Sequence, residues 1–308
     1  MPTVIVTGGA GFIGSHTVDE LLKIPDVDLI VLDNFHSGSP GNLRSSNRVR
    51  VLNSDIRSLD PPELSGDLLG IVHLAAIVSL DEAYLNPKLT LETNVIGTLN
   101  ALEMARKLDS AKFVYASSVA VYGEPVKLPI DESHPTNPSN LYGLSKLMGE
   151  QVAMRYMEDH GIKVVSLRYF NVYGPRMRSG PYSGVIHRFI TALLRGDAVR
   201  IFGDGRQTRD FVYVEDVARA NVMALLSEAK GVFNIGTGVE VSIGELLDLL
   251  CETIGVKARD VKYEAPRKGD IRRSRASYKA AKESLGWEPR VSLREGLERT
   301  VKWYIGLR

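Results

Sequence analysis

Tyr142 and Lys146 lie four residues apart in the run Leu141-Tyr142-Gly143-Leu144-Ser145-Lys146. The surrounding pattern predicts a helix from about Leu141 to Asp159, and residues four apart share one helix face. A phenol and an ammonium on one face can act on one ligand. A free tyrosine has a pKa near ~10, so about one in a thousand is ionised at neutral pH, and a working base needs ~4 kcal/mol of added preference for the phenolate. One adjacent cation lowers such a pKa by ~1–3, which reaches only the edge of that requirement. A second positive charge beside the pair would complete it. The same spacing occurs in ordinary surface pairs, so the rest of the chain has to decide what this one is for.

The N-terminal stretch supplies a context. Thr3-Val4-Ile5-Val6 is a short β-branched run, followed by Gly8-Gly9-Ala10-Gly11-Phe12-Ile13-Gly14 and a helical pattern to about Lys23. A buried strand, a glycine turn and a helix in that order bind a pyrophosphate on backbone N–H groups at the helix N-terminus. Gly8 permits the tight turn, Gly11 the approach of phosphate, and Gly14 the close contact of helix with strand. A second apolar strand, Leu29-Ile30-Val31-Leu32, ends in Asp33. A carboxylate there accepts hydrogen bonds from ribose hydroxyls and repels a 2′-phosphate, which favours NAD over NADP. An oxidised nicotinamide would then be the second positive charge that Tyr142 needs.

Strand patterns recur at Val49–Leu52, Ile71–Leu74, Lys112–Tyr115 and Val164–Leu167, with helical patterns between most of them, notably Leu89 to Leu108. This alternation predicts an α/β fold, a doubly wound parallel sheet with ligand bound along the carboxyl ends of its strands. Asp55, Ala75-Ala76 and Ser117-Ser118 all fall at such ends. The chain of 308 residues, 44% hydrophobic and 24% charged, is long enough for one large domain or two intimate ones. A net charge of +1 with interspersed signs gives no pull toward nucleic acid or an anionic membrane. The single cysteine, Cys251, rules out an internal disulfide framework and, in an apolar run, reads as a buried, inert thiol. The six histidines have no metal-ligand spacing, so no metal is expected, and His73 reads as a packed core residue. No apolar run approaches the ~18 residues of a membrane span, and the first residues read as a strand rather than a signal peptide, so a cytoplasmic protein is expected.

The motifs in order resemble the extended short-chain dehydrogenase/reductase family, specifically its nucleotide-sugar branch, over almost the whole chain. They are Gly8-x-x-Gly11-x-x-Gly14, Asp33-Asn34, Asp55-Ile56, His73-x-Ala75-Ala76, Asn94, Ser117-Ser118, Tyr142-x-x-x-Lys146, Arg168 to Pro175, Arg209-Asp210-Phe211-Val212 and Asn234-Ile235-Gly236. The resemblance implies an NAD-binding Rossmann domain over residues 1–170, with 211–238 returning to it, and a smaller nucleotide-sugar-binding α/β domain from 171–210 and 239–308. On the cofactor side it implies Gly8, Gly11, Phe12, Ile13 and Gly14 at the phosphates, and Asp33, Asn34, Ser37 and Gly38 after the second strand. Asp55 and Ile56, then Leu74, Ala75 and Ala76, and finally Asn94, Ser117 and Phe170 complete the NAD site together with Tyr142 and Lys146.

In this branch the shared first step resembles oxidation of a sugar hydroxyl at C4. Tyr142 is then the acid/base, Ser118 hydrogen-bonds the reacting oxygen, and Lys146 holds the nicotinamide ribose and lowers the tyrosine pKa. Dehydratases of the branch carry an Asp-Glu pair directly after the hydroxyl residue, and decarboxylases keep a Glu there. Val119 and Ala120 occupy those positions here and can neither donate nor accept a proton. The expectation is therefore 4-epimerisation, UDP-glucose to UDP-galactose and back, with NAD retained as a catalyst. Asn171, Arg209, Phe211, Arg267 and Asp270 are expected to hold the uridine diphosphate, and Ser118 and Tyr142 the sugar. Small Ser274 is expected to leave room for an N-acetyl group. Arg176 and Arg178 read as surface or rim. A different nucleotide-sugar epimerase or reductase, for instance dTDP-linked, or a catalytically dead NAD-binding sensor, remain the alternatives. The family resemblance also implies a homodimer through the apolar faces of Leu89–Leu108 and Leu141–Met157.

Overall fold

The β-branched opening run becomes the middle of the structure: β1 (Thr3–Thr7) is buried at all five residues. The computed structural model describes residues 1–64, 66–177, 184–266 and 269–306. After β1 the glycine loop leads into α1 (Phe12–Leu21), then β2 (Asp28–Asp33), β3 (Val49–Asn53) and β4 (Leu68–His73). Three helical pieces follow, α2 (Leu80–Leu85), α3 (Pro87–Leu91) and α4 (Gly97–Lys107), before β5 (Lys112–Ser118), α5 (Leu141–His160) and β6 (Lys163–Tyr169). The second half contributes β7 (Asn171–Tyr173), α6 (Val185–Arg195), β8 (Val199–Phe202), β9 (Thr208–Arg209) and β10 (Phe211–Tyr213). It ends with α7 (Val214–Leu226), β11 (Gly231–Ile235), β12 (Val241–Ser242), α8 (Ile243–Ile254), β13 (Val261–Glu264), α9 (Lys279–Leu285) and α10 (Leu293–Gly306).

Seven strands form one sheet in the order β11-β6-β5-β4-β1-β2-β3, parallel throughout. Successive residues of a strand face opposite sides, so Val4 and Val6 pack with α1 and α7, while Ile5 packs with α4 and α5. Each fully buried aliphatic or phenyl side chain of these two layers contributes ~1.5–3 kcal/mol relative to exposure. The strand order reverses between β1 and β4, and in open parallel sheets ligands bind at such a reversal. Smaller sheets and helices of the second half surround a separate core that includes Phe189, Ile201, Tyr213, Leu246 and Leu297.

Most predicted elements appear within a few residues of their expected bounds, with two differences. The helical pattern from Leu89 to Leu108 is interrupted by a wide π turn over Glu92–Ile96. β4 starts at Leu68 and ends at His73, so Leu74 already lies past the sheet. Beyond residue 239, Ala281, Leu285 and Trp287 pack into the main sheet's core, and Trp287 Nε1 donates to the Asp216 carbonyl at 2.8 Å. Cys251 is only partly buried, on the rim of the second core, rather than enclosed as its apolar run suggested. No helix of the described residues is long and apolar enough to cross a membrane.

Candidate active site

Asn140 ends its extended segment by accepting the Gly143 N–H at 2.9 Å, which caps α5 and sets its first turn. Tyr142 and Lys146 therefore face β5. Ser118, the last residue of β5, accepts the Ala120 N–H at 3.2 Å, and its hydroxyl stands near enough to the Tyr142 phenol to favour the phenolate. Lys146, only 4% exposed, donates its ammonium to the Ala116 carbonyl at 2.7 Å. Burial pushes the Lys146 pKa down to about 7. Burial raises the Tyr142 pKa, and the Ser118 hydroxyl works against that. The protein by itself thus favours the neutral phenol, and in this arrangement Lys146 serves Ala116. His73 is packed as the sequence suggested, with Thr7 Oγ1 2.7 Å from Nδ1 and Thr98 Oγ1 3.0 Å from Nε2; burial and then the Lys146 charge lower its pKa to about 3.

These residues open onto a cleft of about 870 Å³ that runs from the glycine loop to Arg209 and Asp270. Gly8 adopts φ +67, and a Cβ on Gly14 would lie 2.1 Å from the Gly8 carbonyl oxygen. A Cβ on Gly11 would meet only that oxygen, at 3.1 Å, on the cleft wall. α1 has no side-chain cap, so its first N–H groups remain for a phosphate. The Asp33 carboxylate is fixed at the end of β2 by the N–H groups of Ala10 at 2.9 Å and Phe35 at 2.8 Å. This cradle fits a dinucleotide with a free ribose 2′-hydroxyl. Phe12, Ile13, Asn34, Ser37, Ile56, Leu74, Ala75, Ala76, Ser117 and Phe170 also line the cleft.

Three expected cofactor residues stand behind that wall. Gly38 is tucked against Asp33, where a Cβ would lie 2.9 Å from both carboxylate oxygens. Asp55 is held by Arg57 and Asn34, and the Arg57 bond keeps its carboxyl well below the usual range. Asn94, 1% exposed in the π turn, donates to the Ile77 carbonyl and to Ser145 Oγ and accepts the Ile77 N–H. Its contacts position the strand exit and α5. Ser117 is on the wall, but its hydroxyl donates to Glu150 at 2.7 Å.

On the sugar-nucleotide side, Ser118, Tyr142, Asn171, Arg209 and Asp270 line the cleft, with Arg209 and Asp270 ion-paired. Phe211 is 5% exposed and packs edge-on against Tyr173, away from the cleft. Ser274 is fully buried and off the wall, so its small size gives a sugar substituent no direct room. Arg267, and Arg178 with it, lie outside the described residues. A side arm of about 320 Å³ continues past Arg209 between Val78–Asp81, Phe202 and Gln207.

Arg176, read from sequence as surface or rim, lies on the cleft rim with a partner. At φ +66 it turns inward, lines the cleft and pairs with Asp19 of α1 at 2.7 Å, while His16 Nε2 lies 3.1 Å from the Pro175 carbonyl. Sequence reasoning also missed Glu150, whose place four residues after Lys146 was a legible signal.

A sequence model of the NAD dependent epimerase/dehydratase family matches residues 4–236. The chain belongs to that family. This NAD-dependent enzyme is 46% identical over 303 residues, 97% of each chain, to a Methanocaldococcus jannaschii protein provisionally named UDP-glucose 4-epimerase. It resembles the solved UDP-glucose 4-epimerase of Thermotoga maritima, crystallised with UDP-glucose, at TM-score 0.92 and 40% identity over 99% of both chains. It also resembles the UDP-N-acetylglucosamine 4-epimerase of Methanobrevibacter ruminantium, in complex with UDP-N-acetylmuramic acid, at TM-score 0.94 and 34% identity over 100% of this chain and 99% of that one.

Proposed function

We propose that this family member interconverts UDP-glucose and UDP-galactose at C4 through a 4-keto sugar. The observation that carries the reading is the pair Val119 and Ala120, both on the cleft wall directly after Ser118. Eliminating water across C5–C6 needs an acid and a base at the sugar's far end, and these two side chains supply neither; the carboxylate that decarboxylases of the branch usually keep there is missing too. Tyr142 removes the proton from the C4 hydroxyl while Ser118 holds that oxygen, and the C4 hydrogen leaves as hydride. A bound NAD would supply the hydride acceptor and donor, leaving the reaction redox-neutral overall. Tyr142 then reprotonates the oxygen after the keto sugar has turned its other face. Because burial disfavours the phenolate, the base needs an added cation: Lys146, released from the Ala116 carbonyl, acting with the positively charged ring.

Arg209 and the side arm beyond it suit a nucleoside diphosphate, an arginine clamping phosphate oxygens in pairs. A second reading, turnover of UDP-N-acetylglucosamine, is supported by the likeness to the M. ruminantium enzyme. Leu144 and Met148 on α5, 42% and 37% exposed, and Ile96, 47% exposed, form the apolar surface on which a homodimer would close.

The test is to incubate the purified protein with UDP-galactose and no added cofactor. Formation of UDP-glucose supports the proposal. Retained NAD without turnover makes the chain a sensor, and turnover restricted to UDP-N-acetylglucosamine or a dTDP-sugar moves the substrate assignment.

A further inference from the structure

Glu150 occupies the next four-residue step on the α5 face that carries Tyr142 and Lys146. It is 3% exposed, and its carboxylate is surrounded by donors. Ser117 Oγ donates at 2.7 Å, Ser166 Oγ at 3.0 Å and Arg168 Nε at 3.1 Å, while Arg168 Nη2 donates to the other carboxylate oxygen. Arg168 Nη1 donates to the Tyr122 hydroxyl at 2.8 Å, and that hydroxyl donates to Asn234 Oδ1 at 2.7 Å. One carboxylate thereby joins α5 to β5, β6 and β11.

The neighbouring contacts show what is being held. Tyr115 Oη donates to the Lys146 carbonyl at 3.1 Å, the Ala116 carbonyl accepts Lys146 Nζ, Ser117 reaches Glu150, and Ser118 stands beside Tyr142 on the cleft wall. Consecutive residues of β5 thus grip successive turns of α5. Two glycines allow the helix to come that close. A Cβ at Gly143 would lie 2.5 Å from the Ala120 carbonyl oxygen, and one at Gly149 would lie 2.3 Å from Tyr115 Oη. Each glycine weakens a helix by ~1 kcal/mol relative to alanine, so α5 tolerates both for the sake of the contact.

We propose that Glu150 is a positioning residue that fixes the height of α5 along β5, and with it the placement of Tyr142 and Lys146 against Ser118. The inference rests on the reading of Tyr142 as acid/base. An apolar contact allows a helix to slide, whereas a carboxylate with four directional donors from two strands permits one register. A slip of ~1 Å at a reacting centre lowers turnover ~100-fold.

The test uses the cofactor-loaded protein carrying Glu150→Leu with Arg168→Met, which removes both buried charges at similar volume and so avoids leaving either unpaired. The expected result is a folded variant that retains its cofactor, with kcat lowered ~10–100-fold and KM within ~3-fold. Its crystal structure should show α5 displaced along β5, with the Tyr142 phenol shifted relative to Ser118. Wild-type kcat, or a fall in kcat with α5 unmoved, overturns the proposal. Should the double variant fail to fold, Glu150→Gln, equal in size, is read by the same two measurements. If the unmodified protein turns over no nucleotide sugar, the proposed function fails, while the displacement of α5 still decides the anchor.

Discussion

Replacing Lys146 with methionine should stabilise the cofactor-free protein while abolishing its turnover. Burial holds the Lys146 ammonium at a pKa of about 7, against 10.5 for the free side chain. That gap corresponds to ~5 kcal/mol of unfavourable burial. The folded pKa is the lower one, so between pH 7 and 10.5 the unfolded chain binds more protons, and stability rises with pH across that window. The penalty is complete below the folded pKa and falls to ~1 kcal/mol by pH ~10. Lys146→Met removes it but leaves the buried Ala116 carbonyl without its donor, a loss of ~1–3 kcal/mol. The variant should therefore be ~2–4 kcal/mol more stable than wild type near pH 7 and no more stable by pH ~10. For a chain of 308 residues, unfolding entropy near ~2.1 cal/mol/K per residue makes the neutral-pH gain a rise in Tm of ~3–6 °C. Thermal unfolding of both proteins, stripped of cofactor, at several pH values checks this. A variant less stable than wild type at pH 7, or a difference that ignores pH, would refute the assignment of a buried, strained ammonium.

Three further outcomes are expected. Tyr142→Phe should lower kcat ~10²–10⁴-fold while Tm and bound cofactor per chain stay at wild-type values, measured by turnover of UDP-galactose and by cofactor released on denaturation. Gly14→Ala places a Cβ 2.1 Å from a backbone oxygen, so helix and loop must separate; the purified protein should carry little cofactor and unfold earlier. Glu at both Leu144 and Met148 should leave a folded monomer if these residues form the dimer contact, and sedimentation of an unchanged dimer would exclude that surface.

How far the sequence carried depended on which constraint dominated locally. Strands, the glycine cradle and the α5 pair were legible because their spacing follows from backbone periodicity and from positions where a Cβ cannot fit, as at Gly14. Asn94, Asp55 and Gly38 were placed at the cofactor by family likeness, yet the side chains of Asn94 and Asp55 are taken up by Ile77 and Arg57 and Gly38 lies tight against Asp33; which way a loop residue points depends on neighbours distant in the chain. Phe211 and Ser274 lie buried off the cleft wall for the same reason. Arg176 looked like one exposed cation among many, and only the left-handed backbone at that residue turns it onto Asp19. Glu150 needed no tertiary information to be suspected, since it continues the face of Tyr142 and Lys146.

The Arg176–Asp19 pair and the His16–Pro175 contact have a thermodynamic consequence. They fasten the phosphate-receiving helix to the loop that follows Tyr173, on the cleft wall. If that tie lets a dinucleotide at the glycine loop favour the sugar nucleotide, linkage requires the sugar nucleotide to favour the dinucleotide by the same factor.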